Sequence, residues 1–344
     1  MRRGRSILLL ALMWASGALA AGLTEEQTAA LAKRASEGRS DALAQLERLG
    51  NEGDTVAEHY LGHLNLSGRG VPRSERKAIE WFRRAADKGH VTSAHNLGVI
   101  YERARGELQD LAQALKWYRF AAERGYARSQ ANLGHMLAEG IGTSADLAQA
   151  KGWIEKSAAQ GEPRGRYLLG MLHLEGRGFD RNVAEAVRLL RLAAEGKLRE
   201  AQYRMALLYG NGTGVEKDDQ QALEWLRKAA NQRHAEAQYL LSVIHAGGRY
   251  GVPRDDKIAI QWLRLSARQD YAEAQYALGL AYAEGRGVPK DANEAYGWLV
   301  AAAKNGHQAA AEYVRRIQAG VSKPAAQEEP AAQEEPAAGE EPAK

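Results

Sequence analysis

Four histidines offer the first candidate chemistry. His59 and His63 stand four apart, so one helix would present both on a single face. His95 follows His59 by 36 residues, and His135 follows His63 by twice that interval. Adjacent helices could bring three such imidazoles together, a set that binds zinc or copper. No carboxylate at a matching position completes a site, so neither metal nor cofactor is expected. A second candidate is EGRGVPKDA, Glu284 to Ala292, whose glycines, arginine and lysine could cradle a phosphate or meet nucleic acid. The chain has no cysteine, which removes thiolate chemistry and disulfides. It carries no G-x-S-x-G, no H-E-x-x-H and no P-loop ending in Gly-Lys-Ser/Thr. The expectation is a protein that is not an enzyme.

The elements that hold these residues show themselves through a period. Trp81, Trp117 and Trp153 are 36 apart, Leu189 takes the next place, and Trp225, Trp262 and Trp298 follow with one step of 37. Leu61, Leu97, Leu133, Leu169, Met205, Leu241 and Leu278 run in step. Both ladders put the extra residue in the stretch around Gly247 to Gly251, a loop insertion. Ala stands three before and five after each Trp or Leu189, a spacing that lets a neighbouring helix come close, with the Trp filling the gap beside it. Seven residues before each Trp comes Ser74, Asp110, Asp146, Asn182, Asp218, Asp255 or Asp291, all good N-caps. One residue after each Leu or Met comes Gly62, Gly98, Gly134, Gly170, Ala206, Ser242 or Gly279, so a packed backbone or ring needs the room. Each unit is thus a helical hairpin, and one hairpin cannot bury both of its faces, so the units must stack.

The order small-x-x-x-Leu-Gly, Gly-x-Gly turn, Asp cap, Ala-x-x-Trp-x-x-x-Ala-Ala is complete in Ala272 to Gly306. It resembles the SEL-one-like repeat (SLR), the 36-residue relative of the tetratricopeptide repeat. The resemblance implies an all-α, right-handed α-solenoid of stacked helix-turn-helix repeats. The expected organisation is a signal peptide over 1–20, capping helices over 21–53 and seven repeats over 54–306. A closing helix over 307–320 and a disordered Pro/Ala/Glu-rich tail over 321–344 complete it.

The resemblance also implies a concave face lined by first helices. The column His59, His95, Ala131, Tyr167, Tyr203, Tyr239, Tyr276 lies on or near that face, where its rings either pack between units or meet a partner. Arg128 and Arg164 stand three before it, and Glu200, Glu236 and Glu273 continue their column, so the charge changes sign along the array. His63 and His135 flank it on the other side. In the turns, Arg69, Arg177 and Arg286 would stud one edge.

Arg2, Arg3 and Arg5, an apolar run from Ile7 to about Trp14 and the small residues Ala18-Leu19-Ala20 read as a cleaved secretory signal. Its removal takes the 47 basic residues to 44 against 43 acidic ones, near neutrality. Nucleic acid is therefore not an expected partner, and no later segment could span a membrane. Export without cysteine points to a periplasmic or secreted bacterial protein and not a lipoprotein. The function expected is a monomeric, non-catalytic scaffold for another envelope or host protein or an extended peptide. A glycan- or peptidoglycan-binding role, or one in polysaccharide export, is the alternative. Binding or hydrolysis of β-lactams, implied by similar repeat proteins rich in cysteine, fits poorly here.

Overall fold

The computed structural model of the protein describes residues 23–104 and 106–319. The segments read as signal peptide and tail lie outside them. Among the described residues the regular elements are seventeen α-helices and one 3-10 turn at Gly106–Leu108. Two helices lead: α1 (Glu25–Ser36) and α2 (Ser40–Glu52). Seven pairs follow: α3 (Thr55–Ser67) with α4 (Glu75–Asp87), α5 (Val91–Arg103) with α6 (Leu111–Glu123), α7 (Ala127–Glu139) with α8 (Leu147–Ala159), and α9 (Pro163–Glu175) with α10 (Val183–Glu195). Next come α11 (Arg199–Asn211) with α12 (Asp219–Asn231), α13 (Ala235–Gly247) with α14 (Asp256–Ala267), and α15 (Ala272–Glu284) with α16 (Ala292–Lys304), before α17 (Gln308–Gln318). The chain divides into two compact units, one ending at Ala201 and one starting at Gln202.

Every second helix starts at the cap its sequence provides. Ser74, Asp110, Asp146, Asn182 and Asp255 each accept a hydrogen bond from the backbone N–H three residues on. Asp218 and Asp291 accept from both the second and the third N–H. Each such bond satisfies an amide the helix cannot, and removal costs about 1 kcal/mol.

The packing within a pair identifies what needs the room at the Gly column: it is the residue after each Trp or Leu189. In the first unit a methyl group on Gly62 would stand 2.6 Å from the Phe82 ring, and one on Gly98 2.5 Å from Tyr118. The same test puts Gly134 2.5 Å from Ile154 and Gly170 2.9 Å from Leu190. In the second unit Gly279 meets Leu299 at 2.8 Å, while Ala206 and Leu226 share one buried cluster. Phe82, Tyr118, Ile154, Leu190, Leu226 and Leu299 are all buried to within 1%. Trp117 is buried in the core, and the other tryptophans of the repeats sit at the rim. Trp81, Trp153 and Trp225 are half-buried, with Arg84, Lys156 and Lys228 over their rings at 4.5, 4.3 and 4.1 Å. At these positions the large indole covers apolar surface while its rim stays open to solvent and to the cation.

The turn EGRGVPKDA is structural. Gly285 (φ 79°) and Gly287 (φ 67°) take left-handed angles that side chains resist. A methyl group on Gly287 would come within 2.5 Å of the Asp256 carbonyl on α14. The N–H groups of Gly285 and Arg286 both donate to the Ala281 carbonyl at 2.9 Å, and that of Asp291 donates to Tyr282 at 3.0 Å. Val288 is buried. These amides are used within the hairpin, which leaves them no part in a phosphate cradle.

Two tests follow from the packing. Gly98→Ala should destabilise by about 1–3 kcal/mol despite alanine's better helix propensity, because the Tyr118 ring has nowhere to go. Gly152→Ala, in a helix with open space around it, should stabilise by about 0.5–1 kcal/mol; equal shifts in urea midpoint for the two would refute the seam. Lys197 adopts φ 62° where four of the equivalent positions have Gly89, Gly125, Gly161 and Gly306. Lys197→Gly should therefore raise the melting temperature by relieving about 1 kcal/mol of backbone strain.

Candidate functional site

First helices present their outer surface through the columns around His59 and Tyr276. In the first unit the His59 ring packs 4.6 Å from His63 and 4.4 Å from His90, centroid to centroid. His90 is the N-cap of α5 and accepts from the Ser93 N–H. The Ser93 hydroxyl lies 2.9 Å from Nδ1 of both His59 and His90. His95 instead pairs its Nδ1 with the Ser129 hydroxyl at 2.9 Å, and its ring faces Tyr126, the N-cap residue of α7, at 5.0 Å. Of the imidazoles that adjacent helices could have brought together, His95 serves the next junction, and His90 is the third ring beside His59. Among the described residues no three His, Asp or Glu side chains are placed to hold a metal ion.

The second unit repeats the rule with tyrosine. Tyr203 packs 4.6 Å from His234, Tyr239 5.5 Å from Tyr271, and Tyr276 stacks on His307 at 4.1 Å. In each case a column ring covers the residue that opens the following first helix. These rings are half-buried, with one side spent on packing and an edge left to solvent.

A second set of contacts joins first helices to second helices and was missed in the sequence. Gln160 donates to Gln130 at 2.7 Å, and Gln130 donates to the Ala122 carbonyl. In the second unit Gln232 donates to Gln202, Gln269 to Gln238 and Asn305 to Gln275, at 2.7, 2.7 and 2.8 Å. The first repeat places Glu58 in this column. It is fully buried and bridges Arg84 at 2.9 Å and Lys88 at 2.8 Å. The available signal was a polar residue recurring 30 or 31 positions after a buried glutamine.

The turn arginines differ among themselves. Arg177 bonds Glu139 at 2.9 Å and the Ala138 carbonyl at 3.2 Å, so it ties its turn to α7. Arg286 pairs with Glu284 at 2.6 Å, and Arg69 is exposed without an ion pair among the described residues. Of the column charges, Arg128 is exposed, with Glu162 3.7 Å away, and Arg164 is half-buried. Glu200 pairs with Arg199 at 3.1 Å, and Glu236 faces His234 at 3.1 Å.

Burial holds these imidazoles neutral. His59 is depressed to about 3, first by burial and then by His63 and His90. His95 is depressed to about 4 by burial, with Arg128, Arg103 and Arg164 adding to it. His63, His90 and His135 move the same way, burial again leading. A depressed pKa means the unfolded chain takes up protons first, so the stability these groups give is complete above about pH 6.5 and falls as the pH drops towards their folded values. The melting temperature should fall between pH 7 and pH 5, above the range of most carboxylates. A double His59→Gln, His95→Gln variant should show a flatter profile over that interval; an unchanged slope would refute the assignment.

The chain matches the Sel1 repeat model seven times, over 55–90, 91–126, 127–162, 163–198, 199–234, 235–271 and 272–307. Its fold is similar to a Sel1 repeat protein from Oxalobacter formigenes, at 29% identity and TM-score 0.60, over 90% of this chain and 93% of that one. It is also similar to c5321, a protective antigen of uropathogenic Escherichia coli with an SLR fold, at 29% identity and TM-score 0.57, over 92% of this chain and 68% of that one. No curated protein matches. No described helix is long and apolar enough to cross a membrane. Sel1 repeats form a scaffold family, typically non-catalytic, whose members mediate protein–protein interaction. A solenoid of stacked helix pairs with seven units in register places this chain in the Sel1 repeat family.

Proposed function

We propose that the protein is a non-catalytic interaction scaffold of the bacterial envelope whose first-helix surface receives a protein partner. The observation that carries this reading is the division of labour among polar groups. The glutamine pairs and Glu58 with its cations join helix to helix, and the seven caps are spent on the first turns of their own helices. What remains open on the first helices is a mixed surface of ring edges and charges: His63, Arg128, Tyr276 and Glu273 among them. Such a surface recognises a partner through area and charge pattern, with no reactive group at its centre. The apparent signal sequence and the likeness to a protective antigen support an envelope address. Tyr276 favours a protein over a glycan, because one of its faces is already covered by His307.

Photocrosslinking in intact cells tests this. A crosslinking amino acid at His63, Arg128 or Glu273 should capture one discrete protein, identified by mass spectrometry. The same group at Val300, exposed on a second helix, should capture none of it. Equal capture from both surfaces would refute the proposed face.

A further inference from the structure

One second helix departs from the repeat on its outer face. Among the described residues four large apolar side chains are exposed, and two of them, Ile258 (36%) and Leu265 (44%), stand on α14. With Trp262 between them they take positions i, i+4 and i+7, one stripe along two turns. Trp262 is half-buried and packs against the cluster that holds Leu226, Ala229 and Leu241.

The other repeats close this stripe. Four residues before the Trp position they carry Lys77, Gln113, Gln149, Glu185, Gln221 and Glu294, all polar. Three residues after it, Arg84, Lys156 and Lys228 each lay a cation over the indole. Phe120 at that place has Arg124 over its own ring at 3.6 Å, Leu192 is half-buried and Ala301 is small. Only α14 is apolar at the first of these places, and it is the one helix with an exposed leucine at the second. Leu265 thus leaves the Trp262 ring without the cation its counterparts carry. The Glu294 carboxylate, which accepts from the Trp298 indole N–H at 3.0 Å, has no counterpart where Ile258 stands.

The ends of the stripe are cationic. Lys257 precedes Ile258, and Arg268, three residues after Leu265, closes the helix. Both are exposed, and neither makes an ion pair among the described residues. The acids nearest in sequence are engaged: Asp255 caps α14, Asp256 pairs with Arg254 at 3.0 Å, and Asp270 accepts from Gln275 at 3.3 Å.

We propose that the α14 stripe is a second docking surface, and that its occupant is an amphipathic helix of a protein partner with acidic residues flanking its apolar stretch. Ile258 to Leu265 spans about 10 Å, which matches two turns of a facing helix with apolar residues at i, i+4 and i+7. Glutamates beyond either end of that stretch would meet Lys257 and Arg268, and charge-assisted bonds of this kind fix direction and register. A membrane surface fits less well, since helices that lie in an interface hold through a long apolar face. Two aliphatic side chains beside one indole offer too little. The stripe lies on a second helix and not on the first helices, so this reading and the one above succeed or fail separately.

The probe is a fluorescein-labelled helical peptide with leucine at i, i+4 and i+7 and glutamate flanks, followed by anisotropy with the whole protein. Saturable binding is expected. A peptide of the same composition with its leucines dispersed around the helix should bind at least about tenfold more weakly. The variant I258Q/L265K gives α14 the residues that Gln221 and Lys228 supply to α12. It should therefore melt as the unaltered protein does, yet bind the peptide about tenfold or more weakly. Leu265→Lys alone is the milder variant should the pair lower the melting temperature, and it should weaken binding in the same direction. Leu192→Lys, at the equivalent place on α10, should leave binding unchanged. K257E/R268E should shift preference to a peptide with lysine flanks.

Absence of saturable binding, equal binding of the dispersed peptide, or an affinity indifferent to the α14 changes overturns the proposal. An unchanged preference in K257E/R268E overturns the acidic partner. A dimer in sedimentation velocity that I258Q/L265K abolishes would give the stripe to a second copy of this chain. Cosedimentation with phosphatidylglycerol vesicles that the same variant abolishes would give it to a membrane. Either result overturns the partner helix.

Discussion

Close approach of two helices at a residue without a side chain governs this structure. In each hairpin of the first unit the glycine after the Leu column leaves room for one large residue of the second helix, and that residue is completely buried. A glycine within a helix costs about 1 kcal/mol of propensity, and the buried Phe82, Tyr118, Ile154 or Leu190 offsets it through apolar area removed from water. The alanines four and five after the Trp position then let the following hairpin approach as closely, since Ala85, Ala121, Ala193 and Ala229 are fully buried. Seams of this kind fix each helix against its neighbours. The outward-facing columns inherit their positions from them.

Much of this was legible before any coordinates. Caps read correctly because a side-chain oxygen seven residues before the Trp has one local task, and all seven perform it. The period read correctly because each repeat solves the same packing problem. The residue that fills the Gly column was harder to read, for a physical reason. Trp is the most conspicuous residue of the repeat, yet its neighbour at the next position points into the seam, a rotation of about 100° around the helix. The recurring feature at that position is bulk, supplied by Phe, Tyr, Ile or Leu, and variable identity hides a fixed volume.

The histidines show the opposite limit. His59 and His63 share a face as their spacing requires, but sequence alone could not say which imidazole would be third. His90 arrives because it caps the next first helix, and the ring column packs on cap residues, not on its own members one repeat away. The same offset of 31 residues links Tyr203 to His234 and Tyr276 to His307. A contact between different columns is invisible when each column is read along itself. The glutamine pairs were missed for the same reason.

Recurrence therefore measures structural duty, and departures from it are where individual function can enter. Some departures are absorbed by packing. The inserted residue of the sixth repeat lets Tyr250 bring its hydroxyl over Gly210, to within 2.6 Å of where a methyl group would sit. Glu58 takes the place of a glutamine and recovers its burial through Arg84 and Lys88. Ala131 is absorbed as well, since its methyl group is fully buried where other repeats carry a ring.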